Sequence, residues 1–137
     1  DIGIFRTYAP GIYCCCKEPY IKHGIIGREI LESLGLPRHA LVCERHTGSG
    51  ISKQDIIDQH LDLPLRDMLP TSIEEKVVCY ADKFYRKSRI TRCKPIAKVR
   101  NSLSKFGEGS IKRFDELTAL FGEPDYASLD QDLKSAK

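Results

Sequence analysis

Apolar residues in this chain fall three and four positions apart, block after block, and glycine or proline closes each block. Ile25, Ile26, Ile30, Leu31 and Leu34 precede Gly35, and Ile73, Val77, Tyr80, Ala81 and Phe84 follow the same spacing. That period lines one face of an α-helix, and no run alternates strictly enough for a half-buried strand. The pattern predicts an all-α fold, and 137 residues without an internal repeat suit a single domain. The helix boundaries are also written locally. Residues 1–20 hold Pro10, Gly11 and Pro19 and read as a helix end followed by a long loop. A helix from about Ile21 puts His23, Gly27, Ile30 and Leu34 on one inward stripe. Pro37 opens a helix that runs to His46 and is closed by Thr47-Gly48-Ser49-Gly50. Ser52 with Asp55 starts a short helix to about His60, and Thr71 and Ser72, three residues before Glu74 and Glu75, start the strongest one. Two more are expected, Pro95 to about Phe106 and Ser110 to Phe121, the second stopped by Gly122 and Pro124.

The apolar and charged fractions, 41% and 30%, are those of a chain with a packed core. No window approaches the roughly 20 apolar residues of a membrane span, and no signal-peptide pattern opens the chain, so no membrane is expected. Of the six cysteines, Cys14, Cys15 and Cys16 are consecutive and Cys43, Cys79 and Cys93 fall in helix-like segments. Neither a disulfide framework nor a zinc spacing results, which points to reduced thiols and a cytoplasmic location. The net charge of +3 is unevenly spread: residues 86–113 hold ten Lys and Arg against Glu108 alone, whereas residues 115–132 hold six acids and no base. The first stretch can attract phosphates.

Four ligand-type residues stand on separate segments: Asp1, His23, His46 and Asp82. Hard and borderline divalent cations take carboxylate oxygens and imidazole nitrogens, and a helical bundle can converge such groups on one point. Asp1-Ile2-Gly3, His23-Gly24-Ile25-Ile26-Gly27, His46-Thr47-Gly48 and Tyr80-Ala81-Asp82 stand in that order. Together they resemble the HD-domain metal-dependent phosphohydrolase superfamily in its His-Asp-Ile-Gly form, and most closely the small bacterial dinucleoside polyphosphate hydrolases.

The resemblance covers roughly residues 1–92 and implies the C-terminal portion of an HD-domain bundle, with 93–137 as a basic helical extension of the same domain. It implies that the chain starts on the aspartate of the His-Asp pair, with two further histidine ligands lying upstream. It implies two divalent ions (Fe, Mn, Mg or Co), bridged by Asp1, with His23 and His46 on one and Asp82 on the other. Asp1 and Asp82 would then be the catalytic carboxylates, and a metal-activated water would hydrolyse a phosphoester or phosphoanhydride in a phosphorylated small molecule or nucleotide. Arg45, Lys83, Arg86 and Arg89 are the candidate phosphate contacts, since Arg86 and Arg89 follow Asp82 by one and two helical turns. Lys83 departs from the dinucleoside polyphosphate hydrolases, which carry a different residue there. Two alternatives stay open: a nucleic-acid-binding helical module that uses the 86–113 basic stretch, less favoured because Phe106 is the one aromatic residue inside it, and a regulatory module that binds a nucleotide without cleaving it.

Overall fold

The computed structural model describes residues 1–85 and 93–135. Seven α-helices carry the described part: α1 (His23–Ser33), α2 (Pro37–Arg45), α3 (Lys53–Asp58), α4 (Ile73–Asp82), α5 (Ile96–Leu103), α6 (Glu108–Phe121) and α7 (Tyr126–Ser135). The all-α expectation holds, with one addition. The first 20 residues are not a featureless loop. Ile2–Arg6 forms a 3-10 turn, and the two-residue strands β1 (Tyr8–Ala9) and β2 (Cys14–Cys15) pair antiparallel, Tyr8 opposite Cys15 and Ala9 opposite Cys14. Pro10 and Gly11 make the turn between them. Strands this short escape periodicity because they have too few residues to alternate.

The caps act as the residue types require. The Ser72 hydroxyl accepts from the Glu75 amide at 3.2 Å, and Ser52 and Asp55 form a reciprocal capping box on α3. Helix α7 went unpredicted, although its signal is present: the Asp125 carboxylate accepts from the amides of Ala127 and Ser128, as an N-cap side chain does.

Two apolar clusters result. The larger joins α4, α5 and α6 through Cys79, Tyr80, Phe84, Val99, Leu103, Phe114 and Leu117. Tyr80 stands edge-on to Phe84, and its hydroxyl donates to the Gly122 carbonyl at 2.8 Å, so the ring packs while its polar tip is satisfied. The smaller holds Ile51, Ile56 and Met68 under α3. The expected inward faces need correction in two places. Leu34 is 64% exposed, because α1 has ended at Ser33 before reaching it. On α4 the buried residues are Glu75, Cys79 and Tyr80, whereas Ile73, Val77 and Ala81 face outward. Glu75 displaces an apolar residue from the interior because Arg45 neutralises it there at 2.9 Å.

Helix α6 is fastened to the loop after α2. The Ser49 hydroxyl donates to the Ser110 carbonyl at 2.7 Å, and Arg113 Nη2 donates to the Gly50 carbonyl at 3.1 Å and to Asp55 Oδ2 at 2.6 Å. Burial alone would raise the Asp55 carboxyl, but hydrogen bonds from the Ser52 amide and hydroxyl and the Arg113 guanidinium outweigh it and hold the pKa below its ordinary value. The stability so linked is full above the unfolded carboxyl's pKa of about 3.9 and is lost as the pH falls through the lower folded value. Asp55→Asn is expected to cost about 1–2 kcal/mol in urea unfolding at neutral pH. The gap from the unsubstituted chain should close as unfolding is repeated below about pH 4; a gap independent of pH would contradict this.

Candidate metal centre

His23 is the first residue of α1 and His46 the C-cap of α2, so each imidazole sits at a helix end beside a carbonyl three residues back. His23 Nδ1 lies 2.8 Å from the Tyr20 carbonyl, and His46 Nδ1 lies 2.7 Å from the Cys43 carbonyl. A carbonyl can only accept, so both Nδ1 atoms carry the proton and both Nε2 atoms, in the neutral ring, present a lone pair. Those two Nε2 atoms face each other at 3.2 Å. Asp1 Oδ1 joins them, 3.1 Å from His46 Nε2 and 3.8 Å from His23 Nε2. Both histidines are buried, and burial pushes the His46 imidazole down to about 4, so it stays neutral at physiological pH. Three ligand atoms within 4.8 Å, each histidine oriented by a bond from its other nitrogen, form a donor set suited to a divalent cation. Cys79 lies behind His46, and burial pushes its thiol up to about 11, which leaves it protonated and a poor ligand.

Close backbone approach makes this convergence feasible. A methyl group built on Gly3 would lie 2.0 Å from the His23 carbonyl oxygen, and one on Gly27 would lie 2.3 Å from Cys43 Sγ. Glycine at these positions lets the 3-10 turn bearing Asp1 and the helix bearing His46 both close on α1. Behind them Glu44 is buried against Arg28 at 2.7 Å and Arg66 at 2.5 Å, which ties α2 to α1 and to the loop before α4.

The structure gathers Asp1, His23 and His46 but leaves Asp82 outside that three-residue group. Asp82 Oδ2 accepts from Lys83 Nζ at 2.8 Å, and the same ammonium donates to the His46 carbonyl at 3.0 Å. Lys83 therefore folds back onto its neighbour, and its charge is spent on that carboxylate. Arg45 is likewise held by Glu75 and by the Thr71 hydroxyl. Arg86 and Arg89 lie outside the described residues. A cavity of about 210 Å³ opens beside the cluster, lined among others by His23, Asp82, Lys83, Phe106, Ser110 and Arg113. The contribution of α6 to this wall went unnoticed in the sequence. It depends on the Ser49–Ser110 and Asp55–Arg113 contacts, which span about sixty residues of sequence.

Comparison with known proteins gives a different picture from the HD resemblance. An uncharacterized protein of Methanocaldococcus jannaschii is 39% identical over 126 residues, 88% of this chain and 66% of that protein. A tRNA (cytidine(56)-2'-O)-methyltransferase of Picrophilus torridus is 40% identical over 81 residues, 58% of this chain and 23% of the enzyme. The enzyme of the same name from Thermoplasma volcanium is 33% identical over 86 residues, 62% of this chain and 22% of that protein. The chain thus spans just under two thirds of the first relative and less than a quarter of each methyltransferase. No family model and no solved structure matches it.

These relatives overturn the assignment to the HD phosphohydrolase superfamily, and with it the expected phosphohydrolase activity. The two with a stated activity are tRNA methyltransferases. They lend no support to a phosphorylated small-molecule substrate. The physical reason for the misreading is that a His-Gly-x-x-Gly string fixes a close helix contact and the place of a histidine, and such a scaffold does not specify a reaction. Of the four cations expected to hold phosphate, Arg45 and Lys83 are in ion pairs with Glu75 and Asp82, and Arg86 and Arg89 lie outside the described residues. None of the described helices is long and apolar enough to cross a membrane.

Gly27→Ala tests the close approach. It is expected to cost about 1–3 kcal/mol, the usual range for overpacking, and to separate α1 from α2, read by thermal unfolding and by the shift of the His46 imidazole resonances. Unchanged stability and an unmoved His46 signal would show that glycine is not required there.

Proposed function

We propose that this chain is a non-catalytic, nucleic-acid-binding helical module acting on RNA, and that Asp1, His23 and His46 hold one divalent cation within it. The observation that carries the RNA reading is the similarity to two proteins whose names specify tRNA as substrate. Less than a quarter of each methyltransferase is matched, so the similarity assigns no methyl-transfer residue to this chain. Charge supports the reading. Lys98 and Lys105 are exposed seven residues apart, across α5 and the turn after it, and Lys112 is exposed on α6. They belong to the basic stretch that the sequence sets apart from its acidic successor. Lysines placed along a helical face contact phosphates without reading sequence.

The cation reading rests on the apposed imidazole lone pairs at 3.2 Å beside a carboxylate. A cation there supplies positive charge next to a cavity that a nucleotide unit can approach, while the three side chains tie the first turn of the chain to α1 and α2. An N,N,O set of this kind suits Mn, Fe or Co.

Fluorescence anisotropy with an unmodified tRNA transcript across a salt series tests the module. Binding should weaken linearly in log–log form, and replacing Lys98 and Lys105 together by alanine should lower the slope by roughly 0.7–0.9 per lysine. Absence of any binding at low salt would refute the RNA reading.

A further inference from the structure

The hairpin near the start of the chain spends its aromatic residues on water. Phe5 is 73% exposed, Tyr8 60% and Tyr13 96%. Scattered surface hydrophobics are ordinary, but three rings left in solvent within nine residues of sequence gain nothing from folding. Tyr13 also adopts φ 63°, a left-handed conformation that costs a residue with a Cβ about 1 kcal/mol. The strain gains no burial for the ring. The register places one of these rings: Tyr8 pairs with Cys15 and shares its outward side, while the Cys14 side chain turns into the protein. The Cys16 thiol donates to the Phe5 carbonyl at 3.1 Å, which brings the backbone of Phe5 alongside β2. Arg6 and Lys17, both exposed, stand next to these aromatics in sequence, one on each side of the hairpin.

We infer that this hairpin is a stacking platform for single-stranded RNA, on which unpaired bases lie against Phe5, Tyr8 and Tyr13 while Arg6 and Lys17 meet the phosphates. The inference rests on the RNA reading above and assigns it a second surface, distinct from the lysines of α5 and α6. Rings held in solvent beside cations match unpaired nucleotides, whose faces are apolar and whose backbone is anionic. An apolar protein partner would leave the two cations unmatched.

The test measures binding of the full chain to a fluorescein-labelled, unstructured adenosine–uridine decamer. Variants Phe5→Ala, Tyr8→Ala, Tyr13→Ala and Tyr13→Phe are compared, alongside the Lys98/Lys105 double variant. Because the rings are exposed, the alanine variants should melt with the parent chain. Each alanine is expected to weaken the decamer about tenfold, whereas Tyr13→Phe keeps the ring and the affinity. Decamer binding within twofold of the parent in all three alanine variants would overturn the platform, and the RNA reading would stand if the lysine double variant still lost affinity. No binding by the parent chain to either tRNA or decamer would remove both. Alanine variants that turn a dimeric chain monomeric in sedimentation without changing decamer affinity would make the patch a self-association face, and would overturn the proposal.

Discussion

Two imidazoles that each donate a hydrogen bond from Nδ1 to a carbonyl three residues back, and so turn their Nε2 lone pairs toward each other, impose the central constraint on this structure. His23 and His46 lie 3.2 Å apart at Nε2. In water such a contact would simply open. Here it is held by Tyr20 and Cys43 behind the rings, by the glycines that let α1 meet its neighbours, and by burial that keeps His46 neutral. Asp1 adds a carboxylate to the same point, which makes the arrangement more costly without a cation and more favourable with one.

The rest of the molecule frames that point. Buried Glu44, clamped by Arg28 and Arg66, fixes the helix that ends on His46. The loop after His46 is caught by Ser110 and Arg113 of α6, so α6 is part of the cavity wall. Lys83 bridges Asp82, the fourth expected ligand, and the His46 carbonyl.

Much of this was legible in the sequence, and the limits are physical. Caps such as Ser52 with Asp55 and Ser72, and stops such as Gly122, act through residues three or four apart, so reading them needs only local chemistry. The convergence of Asp1, His23 and His46 could be anticipated from motif order. The fates of Arg45 and Lys83 could not: Glu75 is thirty residues from Arg45, and the Lys83 bond to the His46 carbonyl spans thirty-seven. The buried face of α4 was misjudged for the same reason, because a glutamate enters an interior only when a distant arginine meets it. The reaction was misread because ligand geometry and chemistry are separable, and the similarity to tRNA-modifying proteins was invisible to motif reasoning.

The proposed cation at Asp1, His23 and His46 is the central claim, and a Co2+ titration of the chain, followed by visible absorption, tests it most directly. Saturation at one equivalent, with ligand-field bands that His46→Ala and His23→Ala each abolish, is the predicted result. Absence of specific Co2+ uptake by a folded chain, or uptake that survives both substitutions, would contradict the assignment of Asp1, His23 and His46 as a metal centre.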